Sequence, residues 1–130
     1  MPENITLILT YIIFIWVVIL HTFEEIACGI MELELGKIKV TRNKYLFAAS
    51  GISTLNLGTL ALLFLGIPAG YYLALFASAV IGILQTVVHS IGYLREGKKA
   101  QGLGSGFYTS IPLAIVGLIV FLQIIQIIST

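Results

Sequence analysis

The stretch ITLILTYIIFIWVVILHTFEEIAC, Ile5 to Cys28, decides the fold. From Ile5 to Leu20 it carries no charged side chain. A helix crosses a bilayer with about 20 mostly apolar residues, and this stretch supplies them. A secretory signal opens on a positive segment and closes on a small-residue cleavage site. Here the chain opens Met1-Pro2-Glu3-Asn4 and the apolar run meets His21 and Glu24-Glu25, so it reads as a retained helix. Ile26-Ala27-Cys28 has the outline of a lipoprotein cleavage box, but Glu25 stands where that box needs an aliphatic residue.

Three further stretches share this character, giving predicted spans Ile5–Cys28, Tyr45–Leu65, Ala69–Tyr93 and Ser105–Ile128. Gly66-Ile67-Pro68-Ala69-Gly70 breaks helices and is short, so the second and third spans form a tight hairpin. The expectation is an all-α integral membrane four-helix bundle, antiparallel and up-down, with residues 1–130 as a single transmembrane domain. Composition agrees. The chain of 130 residues is 58% apolar and 10% charged, with mean hydropathy +1.05, whereas a soluble domain carries about 25% charged residues. So small a core cannot hide that much apolar surface, and lipid must cover the rest. The net charge of +1, with no basic stripe, excludes nucleic acid as a partner. A lone Cys28 excludes an internal disulfide.

All 7 basic residues fall in two polar loops: Lys37, Lys39, Arg42 and Lys44 in one, Arg95, Lys98 and Lys99 in the other. Four spans put both loops on one side, and the positive-inside rule makes that side cytoplasmic. Loops 29–44 and 94–104 are therefore expected in the cytoplasm, both termini outside, and the chain in the plasma membrane. Lys37-Ile38-Lys39-Val40 alternates polar and apolar, but without a visible partner strand it reads as a solvated loop.

Small residues recur along two spans: Ser50, Thr54, Gly58 and Ala61 on the second, Gly70, Ala74, Ser78 and Gly82 on the third. Spacings of three and four keep each stripe on one face. Such stripes let helices approach closely in lipid, so the two are expected to face each other. Trp16, in mid-span, reads as packing, and Tyr71 and Tyr72 as interfacial anchors.

Ionisable groups inside a membrane are costly and usually functional. This chain places His21, Glu24, Glu25 and His89 within its spans, with Asn56 and Gln85 as strong hydrogen-bonding amides. His21 and Glu25 lie about 40° apart around the helix axis, and Glu24 about 60° to the other side, so all three leave one face. Gln85 and His89 share a face of the third span in the same way. Spans one and three both run inward, which puts Glu25 and His89 on the order of 10 Å below the midplane. Asn56, near the middle of the second span, lies about one turn above His21 and Gln85, and Tyr108, Thr109 and Ser110 enter the fourth span at the lower level. Two imidazoles and two carboxylates form a ligand set for Zn, Fe or Mn. His21, Glu25 and His89 are the candidate metal ligands. Glu24 and Glu25 are the candidate catalytic pair, one a ligand and the other a base acting on water. Asn56, Gln85 and Tyr108 are candidates for orienting substrate or ligands. Without a metal, two adjacent carboxylates in a low dielectric cannot both ionise cheaply, so one is expected to bind or pass protons.

His21-Thr22-Phe23-Glu24-Glu25 matches the signature of the small membrane proteins named for their HXXEE motif, and the chain resembles that family over most of its length. Asn56 in the second span and His89 near the end of the third fit the resemblance. Gly102 to Pro112 is similar to the family's Pro-Gly-containing entry into its last helix, with Ser105-Gly106 where Pro-Gly is usual. The family carries no established activity, so the resemblance implies the fold and the site rather than a reaction. A metal-dependent hydrolase is the reading its motif invites.

Three functions follow from these residues. The first is a metal-dependent hydrolase acting on a lipid or lipid-like substrate near the cytoplasmic leaflet. The second is a proton-coupled small transporter using Glu24 and Glu25, although the basic residues enforce one orientation and the histidine pair is superfluous to it. The third is an accessory membrane subunit whose polar network fixes packing. Four short helices offer few interior positions, which favours a homodimer.

Overall fold

The computed structural model describes residues 4–30, 34–35, 38–96 and 102–129. Four helices carry the chain. Helix α1 is Ile5–Ala27 and α2 is Arg42–Phe64. Helix α3, Ala69–Arg95, passes from α-helix into a π-helical segment, Ser78–Leu84, and back into α-helix at Gln85. A 3-10 turn, Gly102–Gly104, leads into α4, Phe107–Ile128. All four are long and apolar enough to cross a membrane. At about 1.5 Å per residue, even the shorter ones exceed a hydrocarbon core of about 30 Å. The chain is a multi-pass membrane protein of four helices.

Relative directions follow from side-chain pairs. Along α1, Tyr11 meets Asn56 and Glu25 meets Tyr45, so α2 runs the other way. Thr10 meets Gln123 while His21 meets Thr109, so α4 also opposes α1. Asn4 meets Tyr71 and Glu25 meets His89, so α3 runs with α1.

Helix α1 turns a single stripe inward: Leu7, Ile8, Tyr11, Phe14, Val17, Val18, His21 and Glu25. Its opposite face, including Leu9, Ile13, Trp16 and Phe23, is exposed. Patches this large on a soluble monomer would be a liability; here they are the lipid surface. Trp16 belongs to that surface, 64% exposed, rather than to the packing expected of it.

The small residues of α3 are buried as anticipated, each of Gly70, Ala74, Ser78 and Gly82 facing inward. Gly70 sits against α2, where a Cβ would come within 2.8 Å of the Leu63 nitrogen. Gly82 instead faces α4: a Cβ there would lie 3.1 Å from the Gly117 Cα and 3.2 Å from the Phe14 ring. Close backbone approach at small residues is how helices gain packing in lipid. The matching stripe of α2 does not take part. Ser50, Thr54, Gly58 and Ala61 are exposed, and α2 packs through Asn56, Thr59 and Leu63 instead. The hydrogen-bonding capacity of Asn56 and Thr59 decides the rotation, since a buried amide is satisfied only inside the bundle.

The first polar loop holds a two-residue antiparallel ladder, β1 (Glu34–Leu35) with β2 (Ile38–Lys39), where a plain loop was expected. The strand signal at Ile38–Lys39 has its partner immediately upstream. Thr41 then caps α2 by accepting from the Lys44 N–H at 3.4 Å. Of the basic residues that set the expected orientation, Lys37, Lys98 and Lys99 lie outside the described residues.

Candidate metal centre

The polar cluster forms where α1, α3 and the entry to α4 meet. That entry is irregular backbone, tolerated at membrane depth only when buried in protein. Gly104, Ser105 and Gly106 are buried, and the turn is held by Glu96, whose carboxylate accepts from the Leu103 and Gly104 N–H groups at 3.0 and 3.3 Å. Two glycines admit it. At Gly92 on α3 a Cβ would fall 2.5 Å from the Leu103 carbonyl carbon. Gly106 has φ +81° and faces the cluster directly: a Cβ there would fall 2.6 Å from His21 Cε1.

His21, Glu25 and His89 lie together, all buried, with one ligand atom from each within 4.8 Å of the others. The imidazoles meet edge to face at 4.8 Å between centroids. Glu25 Oε1 is 3.2 Å from His89 Nε2 and 3.7 Å from His21 Nε2.

The outer hydrogen bonds fix which atoms face inward. His89 Nδ1 lies 2.9 Å from the Leu103 carbonyl, which only accepts, so Nδ1 carries the proton. His21 Nδ1 lies 3.0 Å from Thr109 Oγ1, whose own proton goes to Glu24 Oε2 in a short contact. Thr109 therefore accepts from His21, and Nδ1 is protonated here too. In neutral rings both Nε2 atoms then present lone pairs to the centre. Tyr45 donates to Glu25 Oε2 at 2.8 Å, which leaves Oε1 facing the imidazoles.

Gln85 closes the cluster. Its Nε2 lies 3.0 Å from His21 Nε2, 3.4 Å from Glu25 Oε1 and 3.4 Å from His89 Nε2. An amide nitrogen has two hydrogens, and three acceptors converge on it. The carboxamide's oxygen and nitrogen are interchangeable in shape; reversed, the group presents Oε1 as a fourth donor atom. This donor set fits a divalent cation: two neutral imidazoles and a carboxylate, each oriented by an outer hydrogen bond of the kind that metal-bound histidines use.

The other expected site residues stand apart. Glu24 points to the start of α4, accepting from the Tyr108 and Thr109 N–H groups at 3.2 and 2.7 Å. A carboxylate is favoured at a helix N-terminus, where backbone N–H groups lack partners. Glu24 reaches the cluster only through Thr109. Asn56 accepts from the Tyr11 hydroxyl at 2.7 Å and donates to the Ile52 carbonyl, higher in the bundle. Tyr108 contributes its backbone N–H to Glu24, while its ring is 58% exposed, beside Tyr93 and Phe107. Tyr45 and the Leu103 carbonyl were not among the expected site groups, and Gly106 was expected only as part of the entry to the last span. Gly106 lies within the Gly-rich entry, where its spacing from the last span was the available signal. Tyr45 reads from sequence as one more aromatic at a membrane boundary.

Beside the cluster a cavity of about 420 Å³ opens between α1, α2 and α3. Val18, His21, Thr22 and Glu25 form one wall and Tyr45, Ala48, Ala49 and Ile52 the facing one. Each wall follows spacings of three and four, a single stripe of its helix. Neither a family model, nor a curated protein, nor a solved structure matches this chain.

Proposed function

We propose that the chain is a metal-dependent membrane hydrolase of the HXXEE type, acting on a lipid or lipid-like ester drawn from the bilayer. His21, Glu25 and His89 would hold one divalent cation, of Zn, Fe or Mn. The observation that carries the reading is the convergence of three acceptor atoms on the single Gln85 amide, with both imidazole protons directed outward. With neutral rings, two amide hydrogens cannot serve three acceptors at once, whereas a cation among them would.

A bound cation supplies a Lewis acid for a carbonyl oxygen and lowers the cost of ionising water. The chain's own residues supply position. Glu24 is a positioning residue, holding Thr109 so that the hydroxyl accepts from His21. Tyr45, a residue of the cavity wall, fixes the Glu25 carboxylate by donating its hydroxyl proton to Oε2. The apolar cavity walls exclude water and admit hydrocarbon. Hydrolysis adds water across the acyl carbon–oxygen bond, and the water's proton ends on the leaving alcohol. With Glu24 engaged by two backbone amides and a hydroxyl, the proton-exchange reading finds no free carboxylate there.

Purified protein in mild detergent is to be assayed on a fluorogenic acyl ester, before and after chelation. Activity lost to the chelator, restored by one added cation and absent from His89→Ala supports the reading. Activity indifferent to both the chelator and His89→Ala refutes it.

A further inference from the structure

The cavity between α1, α2 and α3 has more to it than access. One part of it is apolar, walled by Val18, Ala48, Ala49, Ile52 and Ile81, and His21, Glu25, Tyr45 and Gln85 form a polar edge. Lys39 and Lys44 also line it, on the side of the first polar loop. Lys39 is paired with Glu34 at 2.8 Å. Lys44 has no carboxylate partner among the described residues; its ammonium donates only to the Lys39 carbonyl at 3.3 Å. A cation therefore lines the polar-loop end of an apolar-walled cleft, one residue from the tyrosine that touches Glu25.

We infer that this cavity binds a single-chain lipid with a phosphate head group, its chain along Ile52 and Ile81 and its phosphate at Lys44. Three features select that chemistry. The apolar walls lie within a membrane span, where the ligand available to fill them is an acyl chain. At about 420 Å³ the cavity is near the lower end of small-molecule pockets, which suits one chain rather than two. A lysine ammonium is a point charge suited to phosphate, whereas a zwitterionic head would bring its own cation against it. With the head at Lys44 and the chain beyond Tyr45, the bond joining them passes Glu25 and His21. The inference rests on the hydrolase reading only for the fate of that bond; binding itself needs no metal.

The test measures binding to chelator-treated protein in detergent micelles, by native mass spectrometry. The probes are oleoyl lysophosphatidate, oleoyl lysophosphatidylcholine and oleate. The expected result is one lysophosphatidate per chain, with Lys44→Ala weakening it on the order of tenfold, the worth of a charge-assisted hydrogen bond. The other two lipids should bind more weakly and ignore Lys44→Ala. Ala49→Trp, which fills the cavity, should abolish lysophosphatidate binding while circular dichroism shows the helices intact. Equal binding of all three probes, or lysophosphatidate binding untouched by both substitutions, overturns the inference. So does oleate binding that matches lysophosphatidate and depends on Lys44, since the site would then read a carboxylate. Because the protein is metal-free throughout, a failed hydrolase reading leaves this result standing, and the reverse.

Discussion

His21 and His89 each direct one ring proton outward, to Thr109 and to the Leu103 carbonyl, and turn the other nitrogen toward Glu25. That arrangement separates residues that bind from residues that orient. Removing an outer partner of a metal-bound histidine costs about 10–100-fold in metal affinity. Thr109→Val removes that partner of His21 and should therefore weaken metal binding by about that factor, whereas His89→Ala should abolish it; competition with a chelating dye measures both. Equal losses would contradict this division between ligands and orienting groups. Metal uptake should also fall on acidification, because protons compete for the two Nε2 atoms. Gly106→Ala would set a methyl 2.6 Å from His21 Cε1 on a backbone of φ +81°, so it should lower both metal content and thermal stability. A Gly106→Ala protein that retains full metal content would contradict the placement of this turn.

Among the elements, α3 carries most of the architecture. It presents Gly70 to α2, Gly82 to α4, and Gln85 and His89 to the cluster. The π-helical segment lies between the packing half and the polar half; its i→i+5 bonding shifts the faces below it relative to those above, and such segments recur at functional sites. Gly82→Leu must part α3 from α4 and should destabilise by about 1–3 kcal/mol, the cost of overpacking. Gly58→Leu on α2 meets nothing within 4 Å and should stay within about 0.5 kcal/mol of the parent, as surface changes do. Thermal unfolding in detergent compares the two, and an equal effect would contradict the rotation of α2. This contrast marks what the sequence made legible. The spans, their hairpin and the small stripe of α3 follow from hydropathy and spacing alone. The rotation of α2 does not, because its two candidate faces differ only by Asn56 and Thr59. In the site, the pairing of His21, Glu25, Gln85 and His89 is readable from i, i+4 spacing and depth. The diversion of Glu24 to a helix terminus is not, since spacing along α1 cannot show where α4 begins.

For the whole molecule, two polar loops flank one end of the bundle, and the cluster lies toward that end. We propose that this end is cytoplasmic, on the strength of the basic residues in both loops. In a Cys28→Ser background, single cysteines replacing Lys39 and Lys98 should resist an impermeant thiol reagent applied to whole cells, while one replacing Ile67 should react. Labelling of the first two and protection of the third would reverse the orientation. A ligand that binds only the folded state raises its stability, so chelation should lower the unfolding temperature of the parent and leave His89→Ala unchanged. The central claim concerns the cluster, and elemental analysis of protein purified in mild detergent tests it most directly. About one Zn, Fe or Mn per chain is expected, one cation per His21/Glu25/His89 set, with none in His21→Ala. Protein free of all three metals, with a fold indifferent to chelators, would contradict it.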